Sequence, residues 1–288
     1  MEFVLLNGEI IERSDAKIDV EDRGYQFGDG VYEVIRVYNG SMFTSEEHLA
    51  RFKKSAEAIG IKLNFTIEEI SAFLNQLIEK NNVVLGTVYL QITRGTSPRN
   101  HAFPSPGVPT NIVAYTKEVA RPVENMKSGV KAMLIEDIRW LRCDIKSLNL
   151  LGNLLAKQEA VEARCFEAIQ HRGQTVTEGS SSNILMIKEG KIITHPADNL
   201  ILNGITKRKL QEICIAAQIP FEERSFTIDE ISQADEIILT STTAEIMPIV
   251  EVNGKAVNEG IPGTLTKRLQ ELFETEIEKQ CGELTIKI

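Results

Sequence analysis

Trp140-Leu-Arg-Cys-Asp-Ile-Lys146-Ser-Leu-Asn-Leu-Leu151 places one lysine in a stretch that also carries Trp140, Leu141, Ile145, Leu148, Leu150 and Leu151. About thirty residues on comes Thr175-Val-Thr-Glu178-Gly-Ser-Ser-Ser-Asn183, a turn crowded with hydroxyls around a single carboxylate. A lysine among so many apolar neighbours is expected to be partly desolvated, and a desolvated amine attacks a carbonyl carbon more readily than a hydrated ammonium. Read alone, a lysine is most often a solvated surface group. The weight therefore falls on what accompanies it.

Outward from that stretch the chain alternates between strand and helix signals. Phe3-Val-Leu-Leu, then Asn7-Gly8, then Glu9-Ile-Ile11 reads as a hairpin, because Asn-Gly tolerates the positive φ of a type I′ turn. Leu49, Phe52, Ala56 and Ile59 recur at helical spacing and predict an amphipathic helix over 46–59. Thr66 and Glu69 form a capping box ahead of the stripe Ile67, Ile70, Phe73, Leu74, Leu77 and Ile78. Residues 87–93 alternate with period two as a half-buried strand, and Pro98, Pro104, Pro106, Gly107 and Pro109 make 95–110 a long loop. The segment 117–123, around Arg121-Pro122, is the candidate linker between a small N-terminal α+β domain, 1–120, and a larger domain, 121–288. Beyond it, strands are expected at 130–135, 184–187 and 236–239. Helices are expected over 150–166 and 207–217, with a tail helix carrying Leu265, Leu269, Leu272 and Phe273 that docks on the core.

Four stretches decide the family reading: Asp22-Arg-Gly-Tyr-Gln-Phe-Gly-Asp-Gly-Val-Tyr-Glu33, Asp144-Ile-Lys-Ser-Leu-Asn149, Thr177-Glu-Gly-Ser-Ser-Ser-Asn183 and Ser241-Thr-Thr-Ala-Glu245. Together, and in this order, the chain resembles the fold type IV pyridoxal phosphate aminotransferases, and within them the D-amino-acid aminotransferases. The resemblance implies a two-domain α+β architecture with mixed sheets, pyridoxal 5'-phosphate as cofactor and a homodimer. It also implies transfer of the amino group of D-alanine and other D-amino acids to 2-oxo acids such as 2-oxoglutarate, by a ping-pong mechanism.

The same resemblance assigns roles. Lys146 would hold the cofactor as a Schiff base and then shuttle a proton between the substrate α-carbon and the cofactor. Glu178 would sit against the pyridine nitrogen and keep it protonated. Arg51 would clamp the phosphate, with Ser241 and Thr242 as further hydroxyl ligands. Asn203-Gly204-Ile205-Thr206, ahead of the helix expected from Lys207, would offer the phosphate open amides at Ile205 and Thr206. Tyr32, Arg99 and His101 resemble the cluster that receives the substrate carboxylate. A guanidinium and an imidazole two residues apart on an extended segment project donors to the same side, as an anion requires. Without the family motifs each of these would read as a cap or a surface group. Branched-chain aminotransferases of this fold are not expected to carry the Arg99 and His101 pair.

Composition narrows the alternatives. With 288 residues and 42% hydrophobic content the chain can bury a sizeable core. Its net charge of -9 argues against nucleic acid as a partner. No apolar run approaches a membrane span, and the N-terminus lacks the pattern of a secretory leader, so the cytoplasm is the expected compartment. Cys143, Cys165, Cys214 and Cys281 are scattered, and His48, His101, His171 and His195 lack metal-ligand spacing, so neither disulfides nor a metal are expected. The glycines at 24, 28 and 30 do not form a dinucleotide fingerprint, and 179–183 lacks the second glycine of a nucleophile elbow. The rivals within the fold are a branched-chain L-aminotransferase and an aminodeoxychorismate lyase. The rival from another class is a cofactor-binding protein without turnover.

Overall fold

The computed structural model describes residues 2–288. It divides into two compact units: the chain up to Ala120 joined by Ile145–Asn149 and Gln280–Glu283, and a second unit of Arg121–Asp144, Leu150–Lys279 and Leu284–Ile288. The segment bearing Lys146 thus folds with the first unit, although it lies beyond residue 121.

In the first unit β1 (Phe3–Leu6), β2 (Glu9–Glu12), α1 (Arg23–Phe27), β3 (Gly30–Tyr38), β4 (Ser41–Met42), α2 (Ser45–Ala58), α3 (Ile67–Lys80), β5 (Gly86–Thr93) and β6 (Asn111–Glu118) follow in order. The six strands form one sheet, β2-β1-β6-β5-β3-β4, in which every neighbouring pair is antiparallel. The Asn7-Gly8 turn takes φ of 53° and 94°, as its sequence demands. Alternate residues of β3 and β5, Val31, Ile35, Val37, Val88, Leu90 and Ile92, meet Leu49, Phe52 and Ala56 of α2 and Leu74, Leu77 and Ile78 of α3 in the core. Both parts of the Thr66 and Glu69 capping box form at the start of α3.

The second unit comprises α4 (Val123–Ser128), β7 (Val130–Glu136), α5 (Leu151–Glu162), β8 (Glu167–Arg172), β9 (Thr175–Gly179), β10 (Asn183–Lys188), β11 (Lys191–Thr194) and α6 (Ile205–Ala216). It continues with β12 (Phe221–Glu223), α7 (Ile228–Ile231), β13 (Glu236–Ser241), β14 (Glu245–Val252), β15 (Lys255–Ala256) and α8 (Thr264–Cys281). Its sheet runs β12-β11-β10-β13-β14-β7-β8-β9, with β15 beside β14. The pairs β7/β8, β7/β14 and β11/β12 are parallel and the rest antiparallel, so this is the mixed sheet. Leu269, Phe273 and Ile277 are the buried stripe of α8.

Two local expectations are corrected. The helix expected over 150–166 is α5 and stops at Glu162, because Arg164 adopts φ 58° and Phe166 hydrogen bonds to Lys131 of β7. The helix expected from Lys207 begins at Ile205, with Gly204 as its N-cap, so Ile205 and Thr206 lie inside its first turn. The change of unit between Ala120 and Arg121 falls within the candidate linker 117–123. Lys117 and Glu118 finish β6, and the buried Arg121 pairs at 2.7 Å with Glu245 and 3.0 Å with Glu274.

Candidate active site

In the first unit the site is built on β3. The irregular segment around Lys146 lies along that strand: the Tyr32 amide donates to the Lys146 carbonyl and the Leu148 amide to the Gly30 carbonyl, each at 3.0 Å. Ile145 anchors the segment in the core, and the Lys146 amide donates to Ser55 Oγ on α2 at 3.3 Å. These contacts fix the lysine backbone and carry its Nζ over the Tyr32 ring, 4.2 Å from the centroid. Among the described residues Nζ has no carboxylate partner, so the amine is available for a bond to carbon.

The surroundings of Lys146 differ from the sequence expectation. Trp140, Leu141 and Leu151, read as a desolvating cover, are 44%, 61% and 71% exposed. Of the apolar neighbours expected around it, Ile145 is the one buried in the core.

On the core side of β3, Glu33 is fully buried. Its carboxylate accepts from Arg51 Nε at 2.6 Å and Nη2 at 3.0 Å, and lies 2.8 Å from His48 Nδ1. Burial alone would raise the Glu33 carboxyl, but Arg51 and His48 outweigh it and hold it far below the usual carboxylate range. Burial lowers the His48 pKa, with Glu33 opposing. Arg51 is therefore oriented from behind by a carboxylate.

Tyr32, Arg99 and His101 are not brought into one cluster. Tyr32 stacks on Tyr89 with centroids 5.7 Å apart, and Tyr89 stacks on Tyr115 at 4.9 Å. Arg99 and His101 instead pack on Phe27: the Arg99 guanidinium lies 4.4 Å from the ring centroid and the His101 ring 5.6 Å away. Arg23 steadies this loop, pairing with Asp29 at 2.8 Å and donating to the Asn100 carbonyl at 2.7 Å.

In the second unit Glu178 lies on β9, buried. It accepts from Arg139, from Asn183 Nδ2 at 3.0 Å and from the Leu202 amide at 3.0 Å. A carboxylate has about four acceptor positions. Three are taken, which leaves one for a protonated ring nitrogen. Burial pushes the Glu178 carboxyl up to about 7, against the pull of Arg139. Behind it Asp137 grips Arg139 Nη2 at 2.8 Å and Arg172 Nε at 3.1 Å. Burial opposes its ionisation, yet these cations hold its carboxyl at about 2.

Glu167 accepts from Ser180 and, at 2.8 Å, from Ser182, shaping the turn after Glu178. At the start of α6 no side chain caps Gly204, and the Ile205, Thr206 and Lys207 amides have no acceptor among the described residues. An uncapped helix start of this kind suits a phosphate. Ser241 and Thr242 are partly exposed where β13 ends, and the neighbouring Thr240 Oγ1 is buried without a partner. In the first unit the free amine of Lys146 suits the aldehyde of pyridoxal phosphate; in the second, the spare acceptor position of Glu178 suits its ring nitrogen and the open donors suit its phosphate.

Comparison with known proteins shows the family. Residues 30–252 match the family model for class IV amino-transferases. The chain belongs to that family. It is 54% identical over 278 residues to a D-alanine aminotransferase of Staphylococcus epidermidis, covering 96% of this chain and 99% of that one. A D-alanine aminotransferase of Bacillus licheniformis is 48% identical over 95% of this chain and 96% of its own. Among solved structures, a branched-chain amino acid aminotransferase of Escherichia coli superposes with a TM-score of 0.89 at 26% identity, covering 94% of this chain and 93% of the other.

Sequence reasoning missed Arg139, Asp137, Glu33 and His48. One signal was readable for Glu33: within Gly-Val-Tyr-Glu-Val-Ile-Arg-Val-Tyr it shares the period-two face of Val31, Ile35 and Val37, where only a paired carboxylate is tolerated. Asp137 and Arg139 pair two residues apart, but nothing local showed that Arg139 meets Glu178, 39 residues along the chain.

Proposed function

We propose that this class IV amino-transferase is a D-amino-acid transaminase that moves the amino group of D-alanine and other D-amino acids to 2-oxo acids such as 2-oxoglutarate. The observation that carries the reading is a lysine amine, free of any carboxylate and seated on Tyr32, in a chain 54% identical to a D-alanine aminotransferase over nearly its whole length. The branched-chain reading is less well supported, because the branched-chain structure named above stands at 26% identity.

Bound pyridoxal phosphate would supply an aldehyde carbon and a ring that accepts the electrons of the broken substrate bond. Lys146 would hold the cofactor through its amine, which would also move a proton at the substrate α-carbon. Glu178 would offer its remaining acceptor position to the ring nitrogen, with Arg139 favouring the ionised carboxylate that would keep this nitrogen protonated. The Ile205 and Thr206 amides, Thr206, Ser241 and Thr242 hold the phosphate, and Arg51, braced by Glu33, adds its charge. Arg99, His101 and Tyr32 receive the substrate α-carboxylate.

Arg99 and His101 rest on Phe27 rather than beside Tyr32, which supports their acting on the site of a partner copy. Leu151, Leu154 and Leu155 of α5, 71%, 61% and 54% exposed, form an apolar face that suits burial against such a copy. Four unpaired thiols support the reducing cytoplasm as the compartment. Purified protein given D-alanine and 2-oxoglutarate should release pyruvate and D-glutamate, resolved by a chiral assay, and Lys146→Ala should abolish both. Cofactor binding without product would return the reading to a non-catalytic binder.

A further inference from the structure

One buried cation among the described residues has no counter-charge. Arg36 is 1% exposed, and neither its Nε nor either Nη meets an acceptor. A guanidinium cannot shed its proton, and its N–H donors lie in the plane of the group. Buried donors without acceptors are strongly unfavourable, so the position asks for an anion from outside the chain. Its aromatic neighbour, the Tyr38 ring with its centroid 5.3 Å from Cζ, offers a π face, and the N–H donors stay unserved. The other buried side-chain atoms without partners, on Gln26, Thr110, Gln170 and Thr240, are neutral.

Arg36 also shares its sheet face with the reacting amine. Arg36 pairs with Thr87 and Tyr32 with Gln91, so Tyr32, Val34 and Arg36 project to one side of β3, and Lys146 Nζ lies on the Tyr32 ring. Four residues of strand separate the two backbones by roughly 13 Å. An arginine side chain and a dicarboxylate chain together span that gap.

We propose that Arg36 receives the distal carboxylate of dicarboxylic substrates, the 2-oxo acid acceptor and the D-amino acid made from it. The inference rests on the transaminase reading, which assigns the α-carboxylate to Arg99 and His101 and so leaves a second cation for a second carboxylate. A dicarboxylate held there would be distinguished from D-alanine and pyruvate, which have nothing to offer Arg36.

The test compares the half-reactions of wild type, Arg36→Met and Arg36→Lys. In Arg36→Met, kcat/KM for D-glutamate and 2-oxoglutarate should fall roughly thirtyfold more than for D-alanine and pyruvate, the size expected when a charged hydrogen-bond pair is removed. Arg36→Lys should recover part of that selectivity. Equal losses on both substrate pairs overturn the proposal. Should the Met variant not fold, the wild-type holoenzyme still decides. Glutarate should raise its unfolding midpoint more than butyrate at equal concentration, and the Lys variant should narrow the difference; a wild type indifferent to the second carboxylate overturns the proposal. A wild type that discriminates glutarate but transaminates no D-amino acid would instead refute the transaminase reading.

Discussion

Glu178 concentrates the residue-scale argument. Its carboxyl is raised from 4.5 to about 7, so between those values the folded chain binds the proton that the unfolded chain has released. Stability contributed by this group therefore falls as pH rises through that window. In cofactor-free protein, denaturant unfolding should show Glu178→Gln gaining on wild type as pH climbs from 4.5 to 7, the window set by this shift. A difference independent of pH would contradict the burial argument. With cofactor bound, the same variant should keep its colour and lose about two orders of magnitude in kcat, because the amide no longer stabilises a protonated ring nitrogen. Lys146 and Glu178 were legible in the sequence because each sits in a compact local motif. The support of Glu178 was not: Arg139 reaches it across 39 residues, and no local pattern encodes such a pairing.

Elements were readable where the signal is local and chemical. The Asn7-Gly8 turn and the Thr66 and Glu69 box both form as their residue types dictate. Thr66→Ala should lower stability by about 1 kcal/mol in chemical denaturation and leave turnover unaltered, since α3 carries none of the proposed site. The boundaries that moved were set by tertiary competition. α5 yields to the pairing of Phe166 with β7, and α6 starts early because Gly204 lets the chain pass close to Asn183. A methyl group at Gly204 would collide with Asn183 Oδ1, and Asn183 also donates to Glu178. Gly204→Ala should therefore weaken pyridoxal phosphate binding at least about tenfold in an absorbance titration, a loss of roughly 1.4 kcal/mol, although alanine itself favours helix. Unchanged affinity would show that this close approach plays no part.

For the whole molecule, the two sheets followed from hydrophobic periodicity plus the family motifs. The place of the Lys146 segment did not, because its attachment to β3 depends on backbone hydrogen bonds that its sequence does not reveal. The exposure of Leu151 was equally hidden, since it had read as cover for the lysine, and it continues on α5 through Leu154 and Leu155. Leu154→Glu with Leu155→Glu should turn a dimer into monomers by light scattering and reduce transamination with it. A wild type that is monomeric and fully active would remove the need for a partner copy.

The central claim is that Lys146 forms the bond to the cofactor. Borohydride reduction of the yellow holoenzyme followed by peptide mapping should place the pyridoxyl group on Lys146 alone. Its recovery on another lysine, or on none, would contradict the account.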